Sequence, residues 1–402
     1  MQQQGIFSGV RVVELAQYVF VPGGSVLLAD QGAQVIKVET PGTGDPYRTL
    51  RIGDGRELGV TNLAMEQNNR GKKSIGLDLK NDIGREALLK LIETADVFIT
   101  SLRPRAIRAL RLDVEDLRAR NPKIIYVRGN GLGFRGAEAD KPGFDASAFW
   151  ARGGMCYAFT RPGAQPTLPR PAFGDHAGSM ALAFGIASAL YKRAMTGEPS
   201  VVETSLLSTA VWMLSADVTY SQSPGYQVHG FTTRDPLKYT YTTRDGRLIQ
   251  LMLLDPRPHW APLCRMVGLE SLIDDVRFTN TESRMRNADT LIAMLQERIG
   301  AHDWNDYWAP RFEPWDAPWE LIRTVTDVAV DPQVLANEMV FNMDLGGERI
   351  RVVAGPTAFD GRAAPAVPQR SPAMGEHTDE LLREAGFSTG AIAAMKVARA
   401  AQ

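Results

Sequence analysis

Three segments near the N-terminus constrain the fold more than any other part of the chain. The apolar run from Val10 to Leu15 predicts a buried strand, residues 25–31 have helical composition, and residues 32–39 predict a second strand. A strand, a helix and a strand in this order form a βαβ unit, which is the seed of a parallel sheet. Further apolar runs predict strands near residues 96–100, 124–128 and 201–206. The sequence therefore predicts an α/β fold with ligands at the carboxyl ends of its strands, first at residues 16–22 and 39–47.

Composition and charge exclude several classes of protein. A chain of 402 residues is too long for one simple core, so two or more domains are expected. The formal net charge of −1 provides no overall attraction to nucleic acid or to an anionic membrane. No apolar stretch approaches the ~18 residues of a membrane span. The first strand is not followed by GxGxxG, so a nicotinamide enzyme is not expected.

The cysteines and histidines show no metal-site pattern. The two cysteines lie far apart and the five histidines are scattered, so neither a metal site nor a disulfide framework is predicted. The N-terminus has no charged segment followed by an apolar core, as a secretory signal would. These features together predict a cytoplasmic protein.

A change in composition predicts the domain organisation. Residues 221–236 are polar and contain Gly and Pro, which is typical of a linker. Residues 239–253 predict a β-hairpin with Asp245-Gly246 near its turn, and helices follow. We therefore expect the first part of a large α/β domain over 1–220, a smaller α+β domain over 237–318, and a return linker with the C-terminal part of the large domain over 319–402.

Asp175 is the candidate functional residue with the most specific surroundings. It lies between Gly174 and His176, at the start of an alanine-rich run that predicts a long helix. One interpretation is that Asp175 only caps this helix, since Asp is a favoured N-cap residue. The other is a reactive carboxylate at a helix N-terminus, where free N–H groups stabilise anions. These residues alone leave both interpretations open.

Two basic segments are candidates for phosphate binding. Residues 69–80 place four basic side chains around a short strand, and residues 101–105 place two arginines at a predicted helix start. Lysine and arginine are the usual partners of phosphate groups. Either segment can equally be a solvated surface, so charge alone does not decide.

The order of several motifs resembles the family III CoA-transferases, which include formyl-CoA transferase and carnitine CoA-transferase. The motifs are GVRVVEL (9–15), LADQGAQVIKVE (28–39), GTGD (42–45), NRGKKSIGLDLK (69–80), ADVFITSLRP (95–104), GD followed by Gly178 (174–178), Gly268 with DVRF (275–278), and GEHTDELL (375–382). The resemblance covers nearly the whole chain. It implies a Rossmann-like large domain built from both chain ends, a smaller domain, and two ring-shaped subunits that interlock in a homodimer.

The resemblance also implies the reaction and the nucleophile. Asp175 falls on the family's catalytic aspartate, which attacks the donor acyl-CoA and forms a mixed anhydride and then an aspartyl-CoA thioester. Coenzyme A and acyl-CoA are substrates in this family, so no permanently bound cofactor and no metal are expected. The helix that follows Asp175 is expected to lower its pKa and keep it ionised.

The CoA contacts of the family fall on three segments and one further lysine. These residues are Gln17, Tyr18, Val19, Leu77, Lys80, Ser101, Leu102, Arg103 and Lys141. The chain departs from formyl-CoA transferase at Val19, where that enzyme has glutamine, and at Thr40, where arginine is common. These departures argue against oxalate as a substrate.

Aromatic and apolar residues near the candidate site suggest the kind of acid that is exchanged. The residues are Phe20, Phe144, Phe149, Trp150, Met155 and Tyr157. They suggest a pocket for an aromatic, branched or medium-chain acyl group, although such residues equally serve as core or interface.

Two other functions are compatible with the resemblance. The α-methylacyl-CoA racemases of the same superfamily need two acid/base groups, and their histidine precedes an aspartate in a Gly-His-Asp segment. This chain has Gly143-Phe144-Asp145 at that place, and phenylalanine cannot transfer a proton. The other alternative is a non-catalytic CoA-binding protein, against which the intact Gly174-Asp175 pair argues.

Overall fold

The computed structural model of the protein describes residues 5–50, 62–228, 235–363, 365 and 367–402. The described residues form two compact units. One holds those up to Pro224 and from Pro332 onward, and the other holds those of Gly225–Asp331. Residues 229–234 of the predicted linker lie outside the described residues.

The elements of the chain up to residue 224 build most of the larger unit. Its strands are β1 (Arg11–Leu15), β2 (Gln34–Glu39), β3 (Lys73–Gly76), β4 (Val97–Thr100), β5 (Ile125–Asn130) and β6 (Val201–Ser205). Its α-helices are α1 (Phe20–Asp30), α2 (Leu63–Asn69), α3 (Asp82–Ile92), α4 (Pro104–Leu110), α5 (Val114–Arg118), α6 (Met155–Phe159), α7 (Phe173–Thr196), α8 (Leu206–Met213) and α9 (Ser215–Tyr220). A 3₁₀ turn at Pro46–Arg48 and a π-helical segment at Asp145–Arg152 complete this part.

The six strands form one sheet in the order β3-β2-β1-β4-β5-β6, and every neighbouring pair is parallel. The prediction of an α/β fold with a parallel sheet is confirmed. From β1 the sheet continues in two directions, with β2 and β3 on one side and β4 to β6 on the other. The carboxyl ends of β1 and β4 therefore flank the switch in strand order, which is where sheets of this kind bind ligands.

Alternate residues of the strands build two cores. Val12, Val97 and Ile125 face one side, where they pack with residues of α1, α7 and α8. Val13 and Phe98 face the other side, where they pack with residues of α3 to α5 and of the chain's last segment. Because successive side chains of a strand point to opposite faces, both faces of the sheet are buried.

Helix α1 begins at Phe20, earlier than the sequence predicts. The Pro22-Gly-Gly segment, predicted to break the chain between strand and helix, lies inside the helix. A Cβ on Gly23 would come 2.5 Å from the Ser179 hydroxyl, and one on Gly24 would come 2.9 Å from Leu182. The two glycines therefore permit α1 to pack closely against α7.

The smaller unit has a three-stranded antiparallel sheet. Its strands are β7 (Thr240–Thr242), β8 (Leu248–Leu251) and β9 (Trp319–Leu321). Its helices are α10 (Trp260–Met266), α11 (Thr281–Arg286), α12 (Ala288–Ile299), α13 (Ala309–Phe312) and α14 (Val325–Val328). The sheet order is β7-β8-β9, and β9 pairs with β8. The sheet of the smaller unit therefore includes residues beyond 318, where the sequence placed the end of this domain.

The last segment returns to the larger unit. It contains α15 (Pro332–Ala336), the hairpin of β10 (Val340–Leu345) and β11 (Glu348–Val353), α16 (Thr378–Glu384) and α17 (Thr389–Val397). The N–H groups of His377 and Gln402 donate to the carbonyls of Ser74 and Gly76 on β3, at 2.9 and 3.1 Å. The end of the chain thereby covers the open edge of the parallel sheet. None of the described helices is both long and apolar enough to cross a membrane.

Candidate active site

Asp175 lies in the first turn of α7, but it is not the N-cap residue. The helix begins at Phe173, and Ala172 occupies the N-cap position with a left-handed φ of 63°. The interpretation of Asp175 as a simple helix cap is therefore wrong. Because α7 leads into β6, its first turn lies at the carboxyl ends of the parallel strands.

Another carboxylate, Asp145, serves the start of α7. Both of its carboxylate oxygens accept the N–H of Gly174 at 3.2 Å. A Cβ on Gly174 would come 2.5 Å from that carboxylate and 2.3 Å from the ring of Phe149. Only glycine permits this approach, so Gly174 allows two carboxylates to share one helix terminus.

The carboxylate of Asp175 is half-buried and uncompensated. No described residue donates a hydrogen bond to it or forms an ion pair with it. Burial, and then the negative charge of Asp145, raise the pKa of Asp175 from 3.8 to about 7. The expectation that the helix lowers this pKa is therefore wrong, because the loss of hydration and the second carboxylate outweigh the helix terminus.

Asp145 is a functional candidate that sequence reasoning missed. Burial raises its pKa, while the N–H groups of Gly174 and Asp175 act in the opposite direction. Its signal in the sequence was the Gly143-Phe144-Asp145 segment, which was interpreted only through the absence of a histidine at Phe144.

A network of buried charges lies beneath the ends of β1 and β2. Lys37 Nζ lies 3.0 Å from the Glu14 carboxylate and 2.8 Å from that of Asp45, and Lys72 Nζ lies 2.8 Å from Glu14. The side chains of Glu14, Lys37 and Lys72 have no exposed surface. The network fixes Asp45 at the edge of the sheet where the candidate site lies.

Asp45 connects this network to the segment after β1. One of its carboxylate oxygens accepts the N–H of Tyr18 at 3.1 Å and that of Tyr47 at 2.9 Å. Tyr18 has a φ of 64°, which a residue with a side chain adopts only when its surroundings hold it there. Asp45 belongs to the GTGD motif, and both residues fall in the segment 39–47 that the sequence predicted at a ligand-binding end of a strand, but no individual role was predicted for either.

Five of the predicted CoA contacts lie at the ends of β1 and β4. The Gln17 N–H donates to the Ser101 hydroxyl at 3.0 Å, which joins the two segments directly. Tyr18 is half-buried, Val19 is buried, and Leu102 packs against the core. The structure therefore brings Gln17, Tyr18 and Ser101 together at one edge of the sheet.

The other four predicted contacts are more dispersed. Leu77 is buried in the core beside β3, whereas Lys80 is exposed at the same end of the sheet. Arg103 donates to the Asp140 carbonyl at 3.3 Å, and the neighbouring Lys141 pairs with Glu138 at 2.7 Å. Arg103 thus lies beside the segment that carries Lys141; Arg103 is half-buried, and Lys141 is exposed but paired with Glu138.

The six aromatic and apolar residues divide into two groups. Phe20, Phe149 and Met155 are buried in the core, and Trp150 donates its indole N–H to the Thr167 carbonyl at 2.8 Å. Phe144 and Tyr157 are exposed. The Phe144 ring lies edge-to-face on Tyr18, with centroids 5.3 Å apart. Phe144 therefore presents an apolar surface directly beside Asp145.

His176 has a structural partner. Its Nε2 lies 3.0 Å from the Asn68 side-chain oxygen, so the ring links α7 to α2. In the described part of the chain, no group of three or more His, Cys, Asp or Glu residues could hold a metal ion.

A carboxylate with a raised pKa at the ligand edge of a parallel sheet is a candidate for an enzyme's active site. The sequence model of CoA-transferase family III matches residues 7–378. The chain is 32% identical over 393 residues to the cinnamoyl-CoA:phenyllactate CoA-transferase of Clostridium sporogenes, covering 95% of this chain and 94% of that protein. It is 31% identical over 391 residues to the (R)-2-hydroxy-4-methylpentanoate CoA-transferase of Clostridioides difficile, covering 95% and 96%.

A solved structure has the same fold. The crystal structure of a mutant of Rv3272 from Mycobacterium tuberculosis matches with a TM-score of 0.81 and 28% identity, covering 94% of this chain and 98% of that one. The chain belongs to CoA-transferase family III, as the motifs in its sequence indicated. It is a CoA-transferase.

Proposed function

We propose that the protein moves CoA from an acyl-CoA donor to a carboxylic acid through covalent intermediates on Asp175. The observation that carries this proposal is the uncompensated, half-buried carboxylate in the first turn of α7. A carboxylate whose pKa is about 7 is roughly half ionised at neutral pH, and its ionised form is more basic than that of an ordinary aspartate.

The reaction proceeds through two kinds of intermediate. The Asp175 carboxylate attacks the thioester carbonyl, the carbon–sulfur bond breaks, and a mixed anhydride and CoA thiolate result. The thiolate attacks the Asp175 carbonyl, which releases the donor acid and leaves an aspartyl-CoA thioester. The acceptor carboxylate attacks this thioester, forms a second anhydride and expels the thiolate. Attack of the thiolate on the acceptor's carbonyl gives the new acyl-CoA and restores Asp175.

The CoA moiety binds along the sheet edge in this proposal. Gln17, Tyr18 and Val19 follow β1, Ser101, Leu102 and Arg103 follow β4, and Leu77 and Lys80 follow β3, so the three segments lie at the same end of parallel strands. Lys80, Arg103 and Lys141 supply positive charge for the phosphates. Leu77 is buried, so it contributes to the shape of the core below the ligand.

The acids exchanged carry an aromatic or branched apolar group in this proposal. The exposed ring of Phe144, packed on Tyr18 beside the two carboxylates, offers an apolar contact. The two clostridial relatives are named for phenyllactate, cinnamoyl-CoA and 2-hydroxy-4-methylpentanoate. A panel of acceptor acids that includes phenyllactate, 4-methylpentanoate and oxalate tests this selectivity, and preference for oxalate would contradict it.

The covalent step is tested by trapping. The protein is incubated with an acyl-CoA and hydroxylamine, digested, and searched by mass spectrometry for a hydroxamate. A hydroxamate at Asp175, absent from Asp175→Asn, supports the proposal. If no residue is modified but the α-proton of the acyl-CoA exchanges in heavy water, the protein acts as a racemase. If neither occurs and CoA still binds, it is a binding protein.

We also propose that two copies interlock as a homodimer, each with a large domain built from both chain ends and a smaller domain. Helices α7 to α9 expose large apolar side chains that a monomer would leave in water, namely Met180, Phe184, Tyr191, Met195, Trp212, Met213 and Tyr220. Sedimentation equilibrium measures the mass in solution, and a single species of one chain at micromolar concentration would contradict the dimer.

A further inference from the structure

Tyr47 is a buried phenol that the proposed mechanism does not yet use. Its side chain is only 3% exposed and packs in a small cluster with Val19 and Met65. Tyr18 and Ala172 border the same cluster. Ala172 directly precedes α7, so the cluster that contains the ring of Tyr47 lies next to the helix turn that carries Asp175.

The backbone of Tyr47 is held on both sides. Its N–H donates to Asp45 at 2.9 Å, and its carbonyl accepts the Asn62 side-chain amide at 2.8 Å. Asp45 is itself paired with the buried Lys37. This support fixes the ring in one place, as a group that acts on a reacting atom requires.

The hydroxyl of Tyr47 has no hydrogen-bond partner among the residues that the structure describes. Buried tyrosine hydroxyls are ordinarily paired. Tyr126 and Tyr241, which are also buried, donate theirs to the carbonyls of Leu112 and Pro236. Tyr47 therefore differs from the other two in having no described partner, although its hydroxyl is not among the described polar atoms that are both fully buried and unpaired.

The negative charge of Asp175 acts on the pKa of this phenol. Burial, then the charge of Asp175, then that of Asp45 raise the pKa of Tyr47 to about 12. The hydroxyl consequently stays protonated at neutral pH and can only lose its proton under strongly alkaline conditions. It does not hydrogen-bond to Asp175, so the donor remains available to an atom of the substrate.

From this geometry we propose that the Tyr47 hydroxyl donates a hydrogen bond to the carbonyl oxygen of the group bound at Asp175 as that oxygen becomes an oxyanion. Each attack in the transfer sequence places negative charge on such an oxygen, and a fixed donor stabilises it. The proposal deepens the proposed function and rests on covalent chemistry at Asp175. It makes Tyr47 a catalytic residue and Asp45 a positioning residue behind it.

The test is Tyr47→Phe, which removes the hydroxyl and keeps the ring in its cluster. The first-order rate of Asp175 acylation is measured in single-turnover experiments with hydroxylamine as the trap. We expect the rate and kcat to fall about 10²-fold, as for loss of one oxyanion donor. The KM for the acyl-CoA should change little, because the hydrogen bond strengthens only in the transition state.

Two matched controls separate the hydroxyl from packing. Tyr126→Phe removes a buried hydroxyl that does have a partner, so it should lower the melting temperature and leave kcat unchanged. Tyr47→Phe should show the opposite pattern. Met65→Leu alters the packing beside Tyr47 while conserving volume, and it should retain kcat within a few-fold.

The outcomes distinguish the role inferred for the Tyr47 hydroxyl from the proposed covalent function of Asp175, on which it rests. If the natural protein is trapped at Asp175 and Tyr47→Phe reacts within threefold of its rate, the inference is wrong and the proposed function stands. An equal loss of kcat in Met65→Leu would also overturn it. If the natural protein is never trapped at Asp175, both fall together.

Discussion

Glu14 and Asp175 are two carboxylates of the same unit whose surroundings differ completely. Glu14 is fully buried and contacts Lys37, Lys72 and the Ser25 hydroxyl. Burial by itself would raise its pKa, but the two ammonium groups and these hydrogen bonds outweigh burial and lower the pKa to about 2. Asp175 is less buried, yet burial and then the charge of Asp145 raise its pKa to about 7, because no cation opposes them.

The contrast shows that partners, more than depth, decide what a buried carboxylate does. A carboxylate with two cations is held ionised and unreactive, and it serves to fix the backbone around it. A carboxylate without cations is destabilised in its charged form, and bond formation with an acyl group removes that charge. The larger unit thus contains a structural carboxylate beneath the sheet edge and, at the candidate site, the carboxylate that we propose as the nucleophile.

The largest expected effect follows from replacing Asp175, the proposed nucleophile. Asp175→Asn keeps the size of the side chain but replaces the nucleophile, so we expect CoA transfer to fall at least about 10³-fold. A continuous assay of acyl-CoA exchange measures the loss. Transfer within tenfold of the natural rate would show that the reactive carboxylate lies elsewhere.

Replacing Glu14, the structural carboxylate, should instead lower the free energy of unfolding. Glu14→Gln leaves Lys37 and Lys72 buried with too little negative charge, and we expect a loss of about 3–5 kcal/mol in the free energy of unfolding. Urea denaturation followed by circular dichroism measures it.

An exposed carboxylate supplies the control for that measurement. Glu86 pairs with Arg120 at 2.6 Å on the surface of α3, so Glu86→Gln should cost less than about 1 kcal/mol. Equal losses in the two variants would mean that burial of the network contributes nothing to its energy.

The same Asp175→Asn variant should be more stable than the natural protein, in a manner that depends on pH. The folded-state pKa of about 7 exceeds the ordinary 3.8, so the folded state binds more protons between these values and loses stability as pH rises through them. The full shift corresponds to about 4 kcal/mol, and partial exposure reduces our expectation to about 2 kcal/mol. Melting curves should show this gain at pH 8 and little of it near pH 4. A gain that is the same at both pH values would contradict the shifted pKa.

Periodicity predicted the parallel sheet, since apolar runs mark β1, β2, β4 and β5 directly. It misplaced the start of α1, because Pro22-Gly-Gly signals a break locally. The glycines are required by the approach of α7, which lies about 150 residues further along the chain. Long-range packing of this kind leaves no signal in a local window.

The candidate site was predicted only in part, because some of its features also depend on residues that are distant in sequence. Asp175 was identified from its neighbours and from the resemblance, but its pKa was predicted in the wrong direction. The causes are burial and then the charge of Asp145, which is 30 residues away in sequence. Tyr47 was missed because the burial of its ring next to the start of α7 is a property of the folded chain.

The smallest expected effect tests the interaction of the two carboxylates. Asp145→Asn retains an oxygen that can accept the Gly174 N–H, but it removes the negative charge that acts on Asp175. The pKa of Asp175 should therefore fall, although burial, which is the larger cause, remains. Because the nucleophile must be ionised, the acidic limb of the profile of kcat/KM against pH should move to lower pH. Glu86→Gln, which removes a distant charge, should leave the limb in place. A limb that does not move in Asp145→Asn, or that moves to higher pH, would show that Asp145 acts on α7 through its hydrogen bond alone and that burial accounts for the raised pKa.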